Sequence, residues 1–361
     1  MRSSILTFSS NPTVSNRELT YAQALYEAVA QEMDLDPSVF VFGLGVDDVK
    51  GMYGTTKDLE KNFGALRNFD TPLSEDAMTG VAIGAALGGM RPIHVHQRMD
   101  FLLLCMNQLV NVAAKTSYAF GGSFAVPLVV RAIIGRSWGQ GAQHSQAFHS
   151  YFMHSPGIKV AAPVTPHDAK GCMIAAIHDN NPVVFVEHRM LYGHTGHVPE
   201  QAYEIPFGKA RVLTSGDSLT IVAISHMVVE AVRAAHHLQD QGIAVDLIDP
   251  VTLTPIDIDT ILSSVCKTRR LLIVDNGWVC AGAAAEIAAQ VAERLDNTQY
   301  VDIKRMGFAP TPCPTTKPLE TLFYPNARTI AAKAYEMVTG KAGWMPATAE
   351  AKEIAEFRGP F

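Results

Sequence analysis

The sequence predicts an α/β protein of two domains, each a mostly parallel sheet flanked by helices. Three observations carry this. The chain has 361 residues, more than one ordinary domain holds. Apolar runs of strand length alternate with stripes of helical period, the βαβ rhythm of a parallel sheet. A stretch poor in apolar residues, 194–210 with Gly196, Pro199 and Pro206, splits that rhythm into two blocks. The expected division is a lead-in over 1–16, a first domain over 17–193, a linker over 194–210, a second domain over 211–340 and a tail over 341–361.

In the first block, Ser15-Asn-Arg-Glu18 has capping-box spacing ahead of a helical stripe of Tyr21, Leu25, Ala28 and Met33. Val39-Phe-Val-Phe42, closed by Gly43, is apolar without alternation, as suits a strand covered on both faces. Pro72-Leu-Ser-Glu75 precedes a second stripe, Met78, Val81, Ala82, Ala85 and Ala86, which ends at Gly88-Gly89. Its small residues, Gly80 and Gly84 among them, let another backbone approach closely. Strands are expected at 93–96, 128–134, 159–162 and 183–187, and helices at 101–117 and 167–178. In the second block strands are expected at 219–224, 245–248, 271–274 and 300–303. Helices are expected at 227–241, 256–266 and 283–294, with a further one beyond Lys317.

Composition narrows the function. Hydrophobic residues make up 48% and charged residues 18%, enough for two cores and so little charge that a large subunit interface is expected. The net charge is −6 and no Lys/Arg run follows a phosphate backbone, which argues against nucleic acid. No stretch approaches the about 18 apolar residues of a membrane span. The Ser-rich segment 1–16 lacks the apolar core of a secretory signal. Cys105, Cys172, Cys266, Cys280 and Cys313 form no CxxC pair and read as reduced, mostly buried thiols. A cytoplasmic address is inferred from these missing signals.

Three segments could carry chemistry. In Phe69-Asp-Thr-Pro-Leu-Ser-Glu75, the Pro and the capping Ser place Glu75 in a first helical turn, near the positive end of the macrodipole. From this segment alone an ordinary glutamate that stabilises its own helix is the favoured reading. Arg91-Pro-Ile-His-Val-His-Gln-Arg-Met-Asp-Phe101 reads as a strand whose end bears His94, His96, Gln97 and Arg98, where parallel sheets bind ligands. His94 and His96 face one side, but no third ligand stands nearby, so a polar cleft is preferred to a metal site. Ile134-Gly-Arg-Ser-Trp-Gly-Gln-Gly-Ala-Gln-His-Ser-Gln146 is a glycine-rich loop carrying Arg136, His144 and Ser145. It has neither Walker nor dinucleotide spacing, so an active-site loop and a plain connection both stay open. No GxSxG elbow or HExxH occurs.

In this order and spacing the three segments resemble the β subunit of the thiamine-diphosphate-dependent decarboxylating component of 2-oxo acid dehydrogenases. Pro156-Gly-Ile-Lys-Val160, Thr165-Pro-His-Asp-Ala-Lys170, Pro182-Val-Val-Phe185, Gly277-Trp278 and Lys317-Pro-Leu-Glu320 extend the likeness over 19–338. The resemblance implies a transketolase-like pyrimidine-binding domain followed by a transketolase C-terminal-like domain. It implies thiamine diphosphate as cofactor, with Glu75 hydrogen-bonding the pyrimidine ring nitrogen. Leu73 and Phe101 would stand beside the ring and Gln97 would line the same pocket. His144 would face the substrate, moving protons or steadying an oxyanion. The carbanion chemistry belongs to the cofactor.

The family's Gly-Asp-Gly motif does not occur; the closest string is Ser215-Gly-Asp-Ser218. The resemblance therefore implies an α subunit that holds the diphosphate and Mg2+, in an α2β2 assembly, and a lipoyl carrier as acyl acceptor. The implied reaction cleaves a C–C bond next to a carbonyl, foremost a 2-oxo acid decarboxylation with acyl transfer. A split transketolase or carboligase and a non-catalytic assembly paralogue are the other readings. Two departures stand out. Gly43-Leu44-Gly45-Val46 replaces a Gly-Glu-Asp-Val pattern, and Arg98 stands where an aromatic is common. With His94, Arg131 and Arg136, Arg98 predicts a cationic pocket and an anionic or polyhydroxylated substrate.

Overall fold

The computed structural model describes residues 17–136, 139–296 and 300–347. The lead-in 1–16 and most of the tail lie outside them. A short strand β1 (Glu18–Thr20) runs directly into α1 (Tyr21–Leu35). Its capping box is Thr20 with Gln23, each side chain reaching the other's backbone N–H. The sequence had suggested Ser15 with Glu18. Glu18 is instead in β1, and Ser15 is not among the described residues.

The first block continues through β2 (Val39–Gly43), α2 (Leu59–Phe63), β3 (Asn68–Phe69), α3 (Glu75–Leu87) and β4 (Arg91–His96). A helical run follows: α4 (Met99–Leu102), a 3-10 turn (Leu103–Cys105), a π-helical stretch (Asn107–Ala113) and α5 (Ala114–Ala119). One helix was expected over 101–117. The backbone stays helical there but widens to π hydrogen bonding, a distortion frequent near functional sites. Then come β5 (Val129–Ile134), α6 (His149–Met153), β6 (Lys159–Ala161), α7 (Pro166–His178), β7 (Val183–His188) and β8 (Thr195–His197).

The second block holds β9 (Arg211–Thr214), β10 (Leu219–Ala223), α8 (Met227–Gln239), β11 (Val245–Asp249), β12 (Thr252–Thr254), α9 (Ile258–Thr268) and β13 (Arg270–Trp278). It ends with α10 (Ala283–Arg294), β14 (Asp302–Phe308), α11 (Lys317–Phe323) and α12 (Ala327–Thr339). The helix expected beyond Lys317 is thus two. Pro325 cannot continue a helix, and Asn326 caps the next one.

Two sheets organise the molecule. The first has the order β12-β6-β7-β5-β4-β2-β3, parallel except for β12. The second has the order β14-β13-β10-β11-β9, parallel except for β9. Two pairings lie outside the sequence reading. β8, within the segment read as linker, pairs antiparallel with β1. β12, within the second block, pairs antiparallel with β6 and completes an edge of the first sheet.

Two cores were expected, and two apolar clusters exist, but they divide by sheet face rather than by block. Val39 and Val41 of β2 join one cluster with α1 and α7, which continues through Leu219 and Ile221 to α8 and α12. Phe40 and Phe42 point the other way, into a cluster with Ile83, Leu102 and Leu109 that continues to Ile261 and Ile287. Each core therefore spans both blocks. Between β5 and β7, the fully buried Arg131 donates to both carboxylate oxygens of Glu187, at 2.5 and 2.8 Å, and to Thr55 at 2.7 Å. Cys105, Cys172 and Cys313 are buried; Cys266 and Cys280 are exposed. Among the described residues no helix is long and apolar enough to cross a membrane.

Candidate active site

β2 and β4 are neighbours, yet the chain leaves β2 toward β3 and leaves β4 toward β5, on opposite sides. Such a reversal opens a crevice at the carboxyl ends of the strands. A cavity of about 290 Å³ lies there, lined by Leu44, Leu73, Glu75, Met78, Gln97 and Phe101 together with His94, His96, Arg98 and their neighbours. Gly43 immediately precedes Leu44 of its lining. At φ +147° it ends β2 where a Cβ would stand 2.3 Å from the Val95 carbonyl oxygen, so only glycine lets β2 and β4 close up.

Glu75 is the first residue of α3, following Ser74 at the N-cap position. Among the described residues its carboxylate accepts no hydrogen bond and makes no ion pair. The Ser74 side chain makes no cap bond either. Leu73, 78% exposed, and Phe101 line the same cavity. Gln97 donates through Nε2 to the Leu44 carbonyl at 3.1 Å, so the departure at Leu44 still supplies a backbone anchor.

The two histidines at the end of β4 are uncharged elements of the cavity wall. His96 Nε2 lies 3.2 Å from His94 Nδ1, Thr79 Oγ1 lies 3.3 Å from that same Nδ1, and the His94 ring stacks on Phe42. Burial, then the neighbouring His96, holds His94 well below the usual imidazole range. Burial pushes His96 down to about 4.

His144 lies in the glycine-rich loop, its ring edge-on to Phe101 with centroids 5.3 Å apart. The loop is held from three sides. Asp100 accepts from the Gln146 backbone N–H at 3.2 Å and from its Nε2 at 2.9 Å. Burial pushes the Asp100 carboxyl up, and the Gln146 hydrogen bonds oppose that. Arg189, just past β7, donates to the Gln140 side chain and to the His144 carbonyl at 3.3 Å. Gly139, at φ +68°, packs where a Cβ would stand 2.5 Å from the Thr315 carbonyl oxygen of the second block.

Of the residues singled out in the sequence, Glu75, Leu73, Gln97, Phe101, Arg98 and His94 share one cavity, and His144 touches its Phe101 wall. Arg136 does not join them. Its guanidinium lies over the Tyr324 ring at 5.4 Å, on the second block. The cationic-pocket expectation is corrected accordingly: Arg131 is neutralised by Glu187, His94 is uncharged and Arg136 lies over Tyr324, so among the described residues Arg98 is the one cation lining the cavity. The loop anchors Asp100 and Arg189 were not assigned roles from sequence. Arg189 carried a usable signal, since it follows a buried strand at the carboxyl edge; Asp100 is recognisable only from its contact with Gln146.

Comparisons with known proteins give the family and the fold. Residues 17–195 match the transketolase pyrimidine binding domain and residues 208–330 the transketolase C-terminal domain. The β subunit of acetoin:2,6-dichlorophenolindophenol oxidoreductase from Cupriavidus necator is 43% identical, covering 90% of this chain and 98% of that one. The pyruvate dehydrogenase E1 component subunit beta of Rickettsia bellii is 41% identical, covering 86% and 95%. A solved structure described as a split gene transketolase, inactive beta4 tetramer, has a TM-score of 0.73 at 20% identity, covering 88% of this chain and 98% of that chain, and speaks for the fold alone. The chain belongs to the family of β subunits of thiamine-diphosphate-dependent 2-oxo acid dehydrogenase decarboxylating components, a transketolase pyrimidine-binding domain followed by a transketolase C-terminal domain.

Proposed function

We propose that this chain is the β subunit of a thiamine-diphosphate enzyme that cleaves a C–C bond next to a carbonyl, decarboxylating a 2-oxo acid and passing the acyl unit to a lipoyl carrier. The observation that carries this is the unpartnered Glu75 carboxylate at the head of α3, lining with Gln97 and Phe101 one cavity at the switch point. The residues present fit the pyrimidine half of the cofactor. Glu75 would hold its ring nitrogen, Phe101 and Leu73 would pack against the ring, and Gln97 would line the edge. When bound, the cofactor supplies the carbanion chemistry. His144, kept in place by Asp100 and Arg189, would move a proton or steady an oxyanion on the substrate side.

An α subunit completes the site, holding the diphosphate and Mg2+ in an α2β2 assembly. The apolar rim supports a partner there. Leu73, 78% exposed, and Leu104, 57% exposed, line the cavity, and Val81 of α3 is 55% exposed, apolar surface that burial against a partner would cover. The 43% identity to an acetoin oxidoreductase subunit keeps a neutral hydroxyketone as the second reading. Calorimetry with thiamine diphosphate and Mg2+ tests the assignment. Binding is expected for the chain co-purified with its native partner and not for the chain alone. No binding in either would sink the catalytic reading, and tight binding to the isolated chain would sink the shared site.

A further inference from the structure

We propose that Arg98 selects a substrate bearing a second, non-reacting carboxylate, so that the preferred substrate is a dicarboxylic 2-oxo acid. This rests on the 2-oxo acid reading above and narrows it.

Arg98 follows Gln97 at the end of β4 and lines the same cavity as Glu75 and Phe101. Its Nη1 donates to the Tyr53 hydroxyl at 2.9 Å and to the Gln97 carbonyl at 2.7 Å. The Tyr53 ring is itself stacked on Tyr192, with centroids 5.1 Å apart, so the guanidinium is anchored on one side. The rest of it is unmatched. Nε is buried without a hydrogen-bond partner, and among the described residues no carboxylate pairs with Arg98.

A second cation lies beside it. Arg189 is fully buried, and burial followed by the charge of Arg98 pushes its pKa down to about 10. The Glu320 carboxylate feels the charges of Arg136 and Arg189 and does not line the cavity. With His94 and His96 uncharged, the wall thus presents one cation with spare donors, set against a like charge. An anion docked there would satisfy those donors and relieve the repulsion. A guanidinium fork matches a carboxylate in particular.

The reacting carboxylate is the wrong guest for this cation. Its charge disperses as the C–C bond breaks, so a cation fixed on it would stabilise the ground state more than the transition state and slow the reaction. A cation that grips the far end of the substrate holds both states equally. That gives selectivity without this penalty.

The test uses the complex purified with its native partner and supplied with thiamine diphosphate and Mg2+. kcat/KM is measured for 2-oxoglutarate and 2-oxopentanoate, the same carbon chain with and without a second carboxylate, on the native protein and on Arg98→Gln and Arg98→Lys. Native enzyme should favour 2-oxoglutarate. Arg98→Gln should lower the 2-oxoglutarate to 2-oxopentanoate ratio by about 100-fold, chiefly through KM, and Arg98→Lys should recover part of it. An equal fall on both substrates, or a native preference for 2-oxopentanoate or for acetoin, overturns the proposal. Turnover of 2-oxopentanoate without discrimination leaves the 2-oxo acid reading standing while removing the role of Arg98. Turnover of pyruvate but of neither five-carbon acid removes the role of Arg98 alone, and turnover of none of the three acids overturns both.

Discussion

Replacing Glu75 with glutamine keeps its shape and removes the shareable negative charge. Steady-state turnover of the assembled enzyme should fall by about 10²- to 10⁴-fold, since a proton relay needs the carboxyl; activity within a few-fold of native would rule out its role. Asp100 acts through another residue. Its Oδ1 takes two hydrogen bonds from Gln146 and so sets the loop that carries His144. Asp100→Ala should reduce kcat roughly tenfold and Asp100→Asn, which keeps an acceptor there, should restore most of it. A merely structural role would show instead as equal loss of melting temperature and rate in both variants. Glu187 is a different case, away from the cavity. Glu187→Gln leaves the buried Arg131 unneutralised and should cost about 3–5 kcal/mol in denaturant unfolding.

Among the elements, α3 serves two surfaces. Ala82, Ile83 and Ala86 are buried in the core, and its first residue, Glu75, faces the cavity. A Cβ at Gly80 or Gly84 would meet nothing within 4 Å, so the opposite side of the helix is open in this chain. If that side receives the α subunit, Gly84→Phe should leave the isolated chain's melting temperature near native. It should weaken assembly roughly 10- to 100-fold, the effect of overpacking a close contact by about 1–3 kcal/mol. Sedimentation of the mixed subunits reads this directly, and undiminished assembly would place the partner elsewhere. The sequence marks the small residues of α3 for close approach, and the structure leaves Gly80 and Gly84 open to it. The π-helical widening of Asn107–Ala113 was not legible there, because its residues keep helical periodicity and only the hydrogen-bond register changes.

For the whole molecule, four buried histidines share one behaviour. Burial first, then nearby cations or imidazoles, holds His94, His188 and His226 well below the ordinary range, and burial alone brings His96 to about 4. Unfolded histidines bind a proton near pH about 6.5. Below that value the unfolded chain takes up protons that the folded chain refuses. The stability these neutral rings contribute is therefore complete above about 6.5 and is lost as pH falls toward 4. Calorimetric melting temperature should drop over that window; a flat profile would mean that these imidazoles are charged in the folded state. The two cores that span both blocks, together with β12 closing the first sheet, lead to the further expectation of one cooperative transition rather than two.

Much of this was determined by the sequence itself. The unalternating Val39–Phe42 run, the helical stripes and the glycines at strand ends specify a parallel α/β fold because period and backbone freedom are local properties. The same locality places Glu75, Gln97, Phe101 and His144 at element ends, where a parallel sheet opens. The tertiary structure decided what depends on burial and distant pairing. It neutralised Arg131 with Glu187, kept His94 uncharged against His96 and Phe42, and turned Arg136 onto Tyr324. It carried β12 back to the first sheet and left Arg98 as the single cation among the described residues of the cavity wall. A side chain's charge and its partner are set by the dielectric and the neighbours that folding brings together, and residues far apart in the chain carry no local record of either.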